Sequence, residues 1–195
     1  MESTPSLKAS DAVHYIASSM TTTAPLHAVW QTLIDTSSWS SWNSFCPRVT
    51  IREQPSDPSA NPSTPSPVLQ HGTKVTFHVR LNLNSTIEQD VHLVVTEFAP
   101  PDLTTSTATA TDAGAMLKRG RIAWAADPSA AGTILPALLK AERVHELTET
   151  ADGTEVRNWE IQTGMVAYVV RWMYGARLRE VFEDWVQDLK GFVEK

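Results

Sequence analysis

Residues 142–164 read "ERVHELTETADGTEVRNWEIQTG", two strand-like runs around the turn sequence Ala151-Asp152-Gly153. A short loop between Glu149 and Thr154 makes this a β-hairpin and sets its register. Leu147 then faces Val156, His145 faces Asn158 and Arg143 faces Glu160. On the opposite side Glu146 faces Arg157, Val144 faces Trp159 and Glu142 faces Ile161. Side chains alternate across a pleated strand, so each set keeps to one face. The oppositely charged pair Glu146 and Arg157 suits a solvent-facing side, which leaves Arg143, His145, Asn158 and Glu160 on the inner one. A slip of one residue would turn all four outward.

What covers that inner face is the segment that follows. From Gly164 to the C-terminus the pattern is helical. Leu178, Phe182, Trp185, Leu189 and Phe192 form one stripe opposite Glu180, Glu183 and Gln187. Extended backwards, the stripe takes in Ala167, Arg171 and Tyr174. Arg171 lies ~10 Å along the helix from Gly164, and Asn158 ~13 Å back along its strand from Gln162. A tight turn would bring them to similar depth. Two readings stand: Arg171 anchors a ligand near Asn158 and Glu160, or its head reaches the rim of the fold or pairs with Glu160 alone.

Upstream, residues 12–21 have strand composition and 24–35 carry Val29, Trp30, Leu33 and Ile34 at helical spacing behind Pro25. A short second helix or turn is expected over 37–47 and strands over 48–53, 72–83, 86–98 and 119–127. In the 72–83 strand Val75, Phe77, Val79, Leu81 and Leu83 face in, while Lys74, Thr76, His78 and Arg80 face solvent. Residues 1–11 read as a flexible leader. Residues 54–67, with five prolines, and 102–115 read as loop insertions. A curved antiparallel sheet under one long helix leaves a cavity wherever inward side chains do not fill the space.

The order of elements resembles the START-like, Bet v 1-like helix-grip superfamily (SRPBCC), an α+β fold of about seven strands around a long C-terminal helix. The residues are similar to its polyketide cyclase/dehydrase branch. The matching stretches are "TAPLHAVWQTLID" followed by "WNSFCP", then "VTEFAPPD", "RIAWAAD", the hairpin quoted above and a terminal helix ending in "DLKGFVEK". In such relatives the inward hairpin positions match Leu147, Val156 and Glu160, the same face chosen from charge. The resemblance implies a single domain over residues 1–195 that encloses a small hydrophobic or aromatic molecule. It also implies cyclisation or dehydration with no cofactor. The sequence itself has no metal-ligand spacing, so no metal is expected.

On that reading His145 moves protons, Arg143 holds an oxyanion or carboxylate, and Glu160 orients an arginine or acts as base. Arg171, Asn158, Tyr174, Trp124, Phe77 and Val75 are the expected ligand contacts. The competing reading is a non-catalytic carrier or sensor of a lipid, quinone or secondary metabolite, in which Arg143 and Arg171 only anchor the ligand's polar end. A purely structural reading also stands, in which Arg143 and Glu160 neutralise one another and His145 hydrogen-bonds Asn158. Cys46 has no adjacent base and reads as a packed thiol. Trp42 and Asn43 read as packing, and His92 has no partner visible in the sequence.

Composition narrows the partners. A net charge of −6 with no basic cluster speaks against nucleic acid. A single cysteine precludes an internal disulfide and suits a reducing compartment. No apolar run approaches the ~20 residues of a membrane span, and no export signal is visible at the N-terminus. The expectation is a soluble cytoplasmic protein, a monomer or a homodimer, the latter through the Val166, Val169 and Met173 side of the helix.

Overall fold

The computed structural model describes residues 1–55, 66–81, 87–102 and 117–195. Most of both loop insertions and Leu83 lie outside them. The strands are β1 (His14–Thr22), β2 (Arg48–Glu53), β3 (Lys74–Val79), β4 (Gln89–Ala99), β5 (Arg119–Ala126), β6 (Lys140–Thr150) and β7 (Gly153–Thr163). They form one antiparallel sheet in the order β1-β7-β6-β5-β4-β3-β2. Helix α1 (Leu26–Ile34) and a 3-10 turn (Thr36–Ser41) separate β1 from β2, and helix α2 (Met165–Val193) closes the chain. This is the α+β helix-grip architecture.

The β6–β7 hairpin has the register expected, with Glu149 opposite Thr154, His145 opposite Asn158 and Arg143 opposite Glu160. The turn from β7 into α2 rests on Gly164, whose φ is 94°. A Cβ built there would sit 2.4 Å from the Leu138 carbonyl oxygen. Strain and collision act together, so Gly164→Ala is expected to cost about 2 kcal/mol in urea unfolding.

One end of the space between sheet and helix is filled by aromatic rings. Trp39 meets Phe77 edge-on at 5.1 Å, Phe77 meets Trp124 at 5.5 Å, and Trp42 meets Trp185 at 5.4 Å. Around them pack Trp30, Leu33, Val75, Leu147, Val156 and Leu189. Such pairs add about 0.5–1.5 kcal/mol each beyond the area they bury. The predicted α2 stripe is buried at Phe182, Trp185 and Leu189. Leu178 and Phe192 are half-buried. Among the described residues no helix is long and apolar enough to cross a membrane.

Three expectations are corrected. The leader is tied down, since Thr4 Oγ1, Ser6 N and Ser6 Oγ all donate to Glu142 Oε2 at 2.7–2.8 Å. Arg157 also pairs with Glu2 as well as with Glu146. The outer face of the hairpin is accordingly covered at Glu142, Val144 and Trp159. The outer face of β3 is not solvated either. His78 is buried, with Nδ1 2.6 Å from Asp90 Oδ1, and Arg48 donates to its Nε2 at 3.0 Å. Cross-strand neighbours on β2 and β4 close over it, which alternation along one strand does not reveal. His92 has a partner too, Thr76 Oγ1 at 2.9 Å. Arg80 is half-buried and pairs with Glu88.

Candidate functional site

At the end of the fold not filled by tryptophan, the inner faces of β3 to β7 and the middle of α2 enclose a cavity of ≈ 390 Å³. Its walls are mostly apolar: Phe77, Val79, Leu93, Trp124 and Ala126 from the sheet, Leu178 and Phe182 from α2, Ile134 and Leu139 from the preceding loop. A ligand cavity of this size sits at the small end of the range for drug-sized molecules. Three polar residues of the hairpin reach it: Arg143, Glu160 and Gln162.

Arg143 is buried, and its guanidinium carbon lies 3.9 Å from the centre of the Phe182 ring and 5.4 Å from that of Trp185. Its Nε donates to Asn158 Oδ1 at 2.8 Å. Asn158 in turn reaches Ser18 Oγ at 3.4 Å. The Nη2 group of Arg143 has no hydrogen-bond partner. Glu160 forms no ion pair with it; the carboxylate instead accepts from Gln162 Nε2 at 2.6 Å, and Gln162 Oε1 lies 3.1 Å from His14 Nδ1. Burial lowers the Arg143 pKa to about 10, and the nearby Glu160 carboxylate offsets part of that shift. The guanidinium therefore stays charged at neutral pH. A buried cation lacking a full hydrogen-bond set is costly, and an anionic oxygen beside Nη2 would relieve that cost.

The other predicted site residues divide. Phe77 and Trp124 are cavity wall, while Val75 belongs to the aromatic core behind it. His145 is fully buried between Trp124 and Trp185, each ring centre 4.4 Å away, and does not border the cavity. Neither ring nitrogen has a partner. Desolvation first, and the Arg143 cation second, hold its pKa well below 6.5. A depressed folded-state pKa means that unfolding takes up a proton below pH 6.5, so stability falls as the pH drops through that value. His145→Leu is expected to remove up to about 1.4 kcal/mol per pH unit of this acid loss, read from urea unfolding at pH 7 and pH 5.

Arg171 and Tyr174 are exposed and do not line the cavity. Ala167 and Gly175 lie one turn either side of Arg171 and are buried. At Gly175 the added Cβ would meet the ring of His14 on the edge strand β1 and the stem of Arg171. This row therefore runs over β1 rather than over the cavity, and Arg171 Nη1 reaches the rim to donate to the Val13 carbonyl at 3.1 Å. Cys46 is buried, and desolvation pushes its thiol up to about 12, which leaves it unreactive.

The sequence reading missed Gln162 and His14, although hairpin parity places Gln162 with Glu160 and β1–β7 pairing sets His14 against it. It also missed the 132–139 rim, "GTILPALL", a short apolar run broken by Pro136 with no clear periodicity to read.

No protein-family model matches the chain. It is 42% identical over 203 residues to the oxopyrrolidines biosynthesis cluster protein O of Penicillium oxalicum, covering 98% of this chain and 92% of that protein. Among solved structures, a hypothetical protein of Helicobacter pylori superposes with a TM-score of 0.61 at 14% identity, over 93% of this chain and 89% of that one. The Zhui aromatase/cyclase of Streptomyces sp. R1128 gives 0.57 at 13% identity, over 93% of each chain. A START superfamily protein of Mycobacterium smegmatis gives 0.50 at 12% identity, over 93% and 97%.

Proposed function

The chain belongs to the family of the Penicillium oxalicum cluster protein O, and from that premise and its START-like helix-grip fold we propose that it acts on a small hydrophobic or aromatic, polyketide-like molecule. In this reading the cavity binds a ligand with an acidic or enolisable oxygen and promotes its cyclisation or dehydration without a cofactor. The observation that carries it is Arg143, a buried, charged guanidinium with an unpartnered Nη2, which stands with Glu160 and Gln162 among the residues lining a mostly apolar cavity. An apolar pocket with one directed cation selects molecules that are greasy over most of their surface and anionic at one end.

The chemistry would run on two groups. Glu160 takes the proton from a carbon flanked by two carbonyls, and Arg143 stabilises the enolate oxygen that forms. The enolate carbon attacks a second carbonyl of the same folded chain, forming the ring bond. The resulting alkoxide takes up the proton from Glu160. Glu160 then takes the remaining proton of the same carbon and returns it to the departing hydroxyl, so that the C–C double bond forms as water leaves. Holding a flexible chain in a reactive shape supplies much of the rate.

The carrier reading is favoured by one specific observation, the sealing of His145 away from the cavity, which removes the histidine expected to move protons from reach of a ligand. Native mass spectrometry of protein taken from its source identifies the retained molecule. Single-turnover assays with that molecule then separate the readings: ring closure abolished in Glu160→Gln with binding retained supports catalysis. An unchanged ligand recovered from the unsubstituted protein supports carriage.

A further inference from the structure

The first three turns of α2 are apolar on the side turned away from the sheet, where a soluble helix normally carries polar residues. Trp172 is 85% exposed, Met165 74% and Tyr168 63%, with Val169 and Met173 beside them. The preceding loop adds Leu135, 66% exposed, and Leu138. The two segments touch, since Val166 N donates to the Leu138 carbonyl at 3.0 Å. Together they make one apolar platform, far more than the scattered exposed side chains of an ordinary surface.

Charge identifies what fits the platform. Residues 128–140 and 163–179 contain no acidic residue, in a chain whose net charge is −6. Within these two stretches the exposed charges are Lys140, Arg171 and Arg179, all cationic; exposed acids stand only beyond them, at Glu180 after Arg179 and at Asp11, two residues before the Val13 that Arg171 meets. A second copy of this chain is a poor match, because a two-fold interface sets the patch against itself and meets cations with cations. Aromatic side chains on a stretch whose own charges are all Lys and Arg suit the boundary of an anionic bilayer, where rings sit at headgroup depth and cations meet lipid phosphates. We propose that this face docks peripherally on an anionic membrane surface. The same loop lines the cavity through Gly132, Thr133 and Ile134. On the proposed function, docking would bring the cavity rim to the bilayer in which a hydrophobic ligand dissolves.

The test uses the full chain and vesicles of phosphatidylcholine, with or without phosphatidylserine. Co-sedimentation is expected only with phosphatidylserine and is expected to weaken as salt rises. Trp172→Ala is expected to reduce binding on the order of tenfold, and Arg179→Ala about fivefold. Both side chains are exposed, so neither change disturbs the core; circular dichroism verifies this. No sedimentation with phosphatidylserine at low salt overturns the proposal, as does undiminished binding in Trp172→Ala. A concentration-dependent dimer that Trp172→Ala dissolves overturns it in favour of a second copy. Vesicle binding by Trp172-dependent contact is read without any cavity ligand, so it stands or falls separately from the proposed chemistry.

Discussion

Arg143→Met is expected to weaken binding of an anionic or enolisable ligand by about a hundredfold, ~3 kcal/mol, while the protein remains folded. The two effects separate for a physical reason. Within the protein the guanidinium is poorly compensated: one hydrogen bond to Asn158, two aromatic faces and no ion pair. Replacing a buried charge of that kind with an apolar side chain of similar length is close to neutral for stability. Loss of the bond to Asn158 offsets part of what is gained by removing the charge. Titration by isothermal calorimetry with an aromatic carboxylate, and with its uncharged amide, measures the first effect. The carboxylate should lose nearly all its advantage over the amide in the variant, and retention of that advantage would remove Arg143 from recognition. Arg143→Lys is expected to fall between the two, because an ammonium keeps the charge and loses the planar fork.

Glu142→Ala is expected to destabilise the fold by about 3 kcal/mol at pH 7, the largest effect predicted on the outer side of the sheet. Its buried carboxylate accepts from Thr4 and Ser6 of the leader and from Thr96 on β4, which donates to Oε1 at 2.7 Å. Burial alone would raise its pKa, but the hydrogen bonds from Ser6, Thr4 and Thr96 outweigh burial and hold it below 4.5. A depressed carboxylate pKa contributes stability that is present above about pH 4.5 and lost as the pH falls through the lower folded value. The gap between wild type and Glu142→Ala, measured by urea unfolding, should therefore narrow in acid. Deleting residues 1–8 should cost a similar amount, and combining the two changes should add little more. Additive losses would show that the leader and Glu142 act independently.

The hairpin shows how far one strand pair can be read. Strand alternation has a period of two, and the turn at Ala151-Asp152-Gly153 sets the register, so Arg143, His145, Asn158 and Glu160 were assigned to one side from local rules alone. The structure places all four on that side. The α2 stripe through Phe182, Trp185 and Leu189 was legible for the same reason, since a helix repeats within its own length. His78 was not legible: its burial depends on Arg48, Thr50 and Asp90, which come from strands far away in sequence.

The sequence by itself therefore determined the order of elements, the sheet faces and the polar set turned inward. Tertiary structure decided which members of that set a ligand can reach. Trp124 and Trp185 close over His145, while the helix row through Arg171 rides on the edge strand and sends its cation to Val13. Only Arg143 and Glu160 of the inward four line the cavity. Facing is a local property of the backbone; depth along a strand depends on what distant elements bring to fill the space above it.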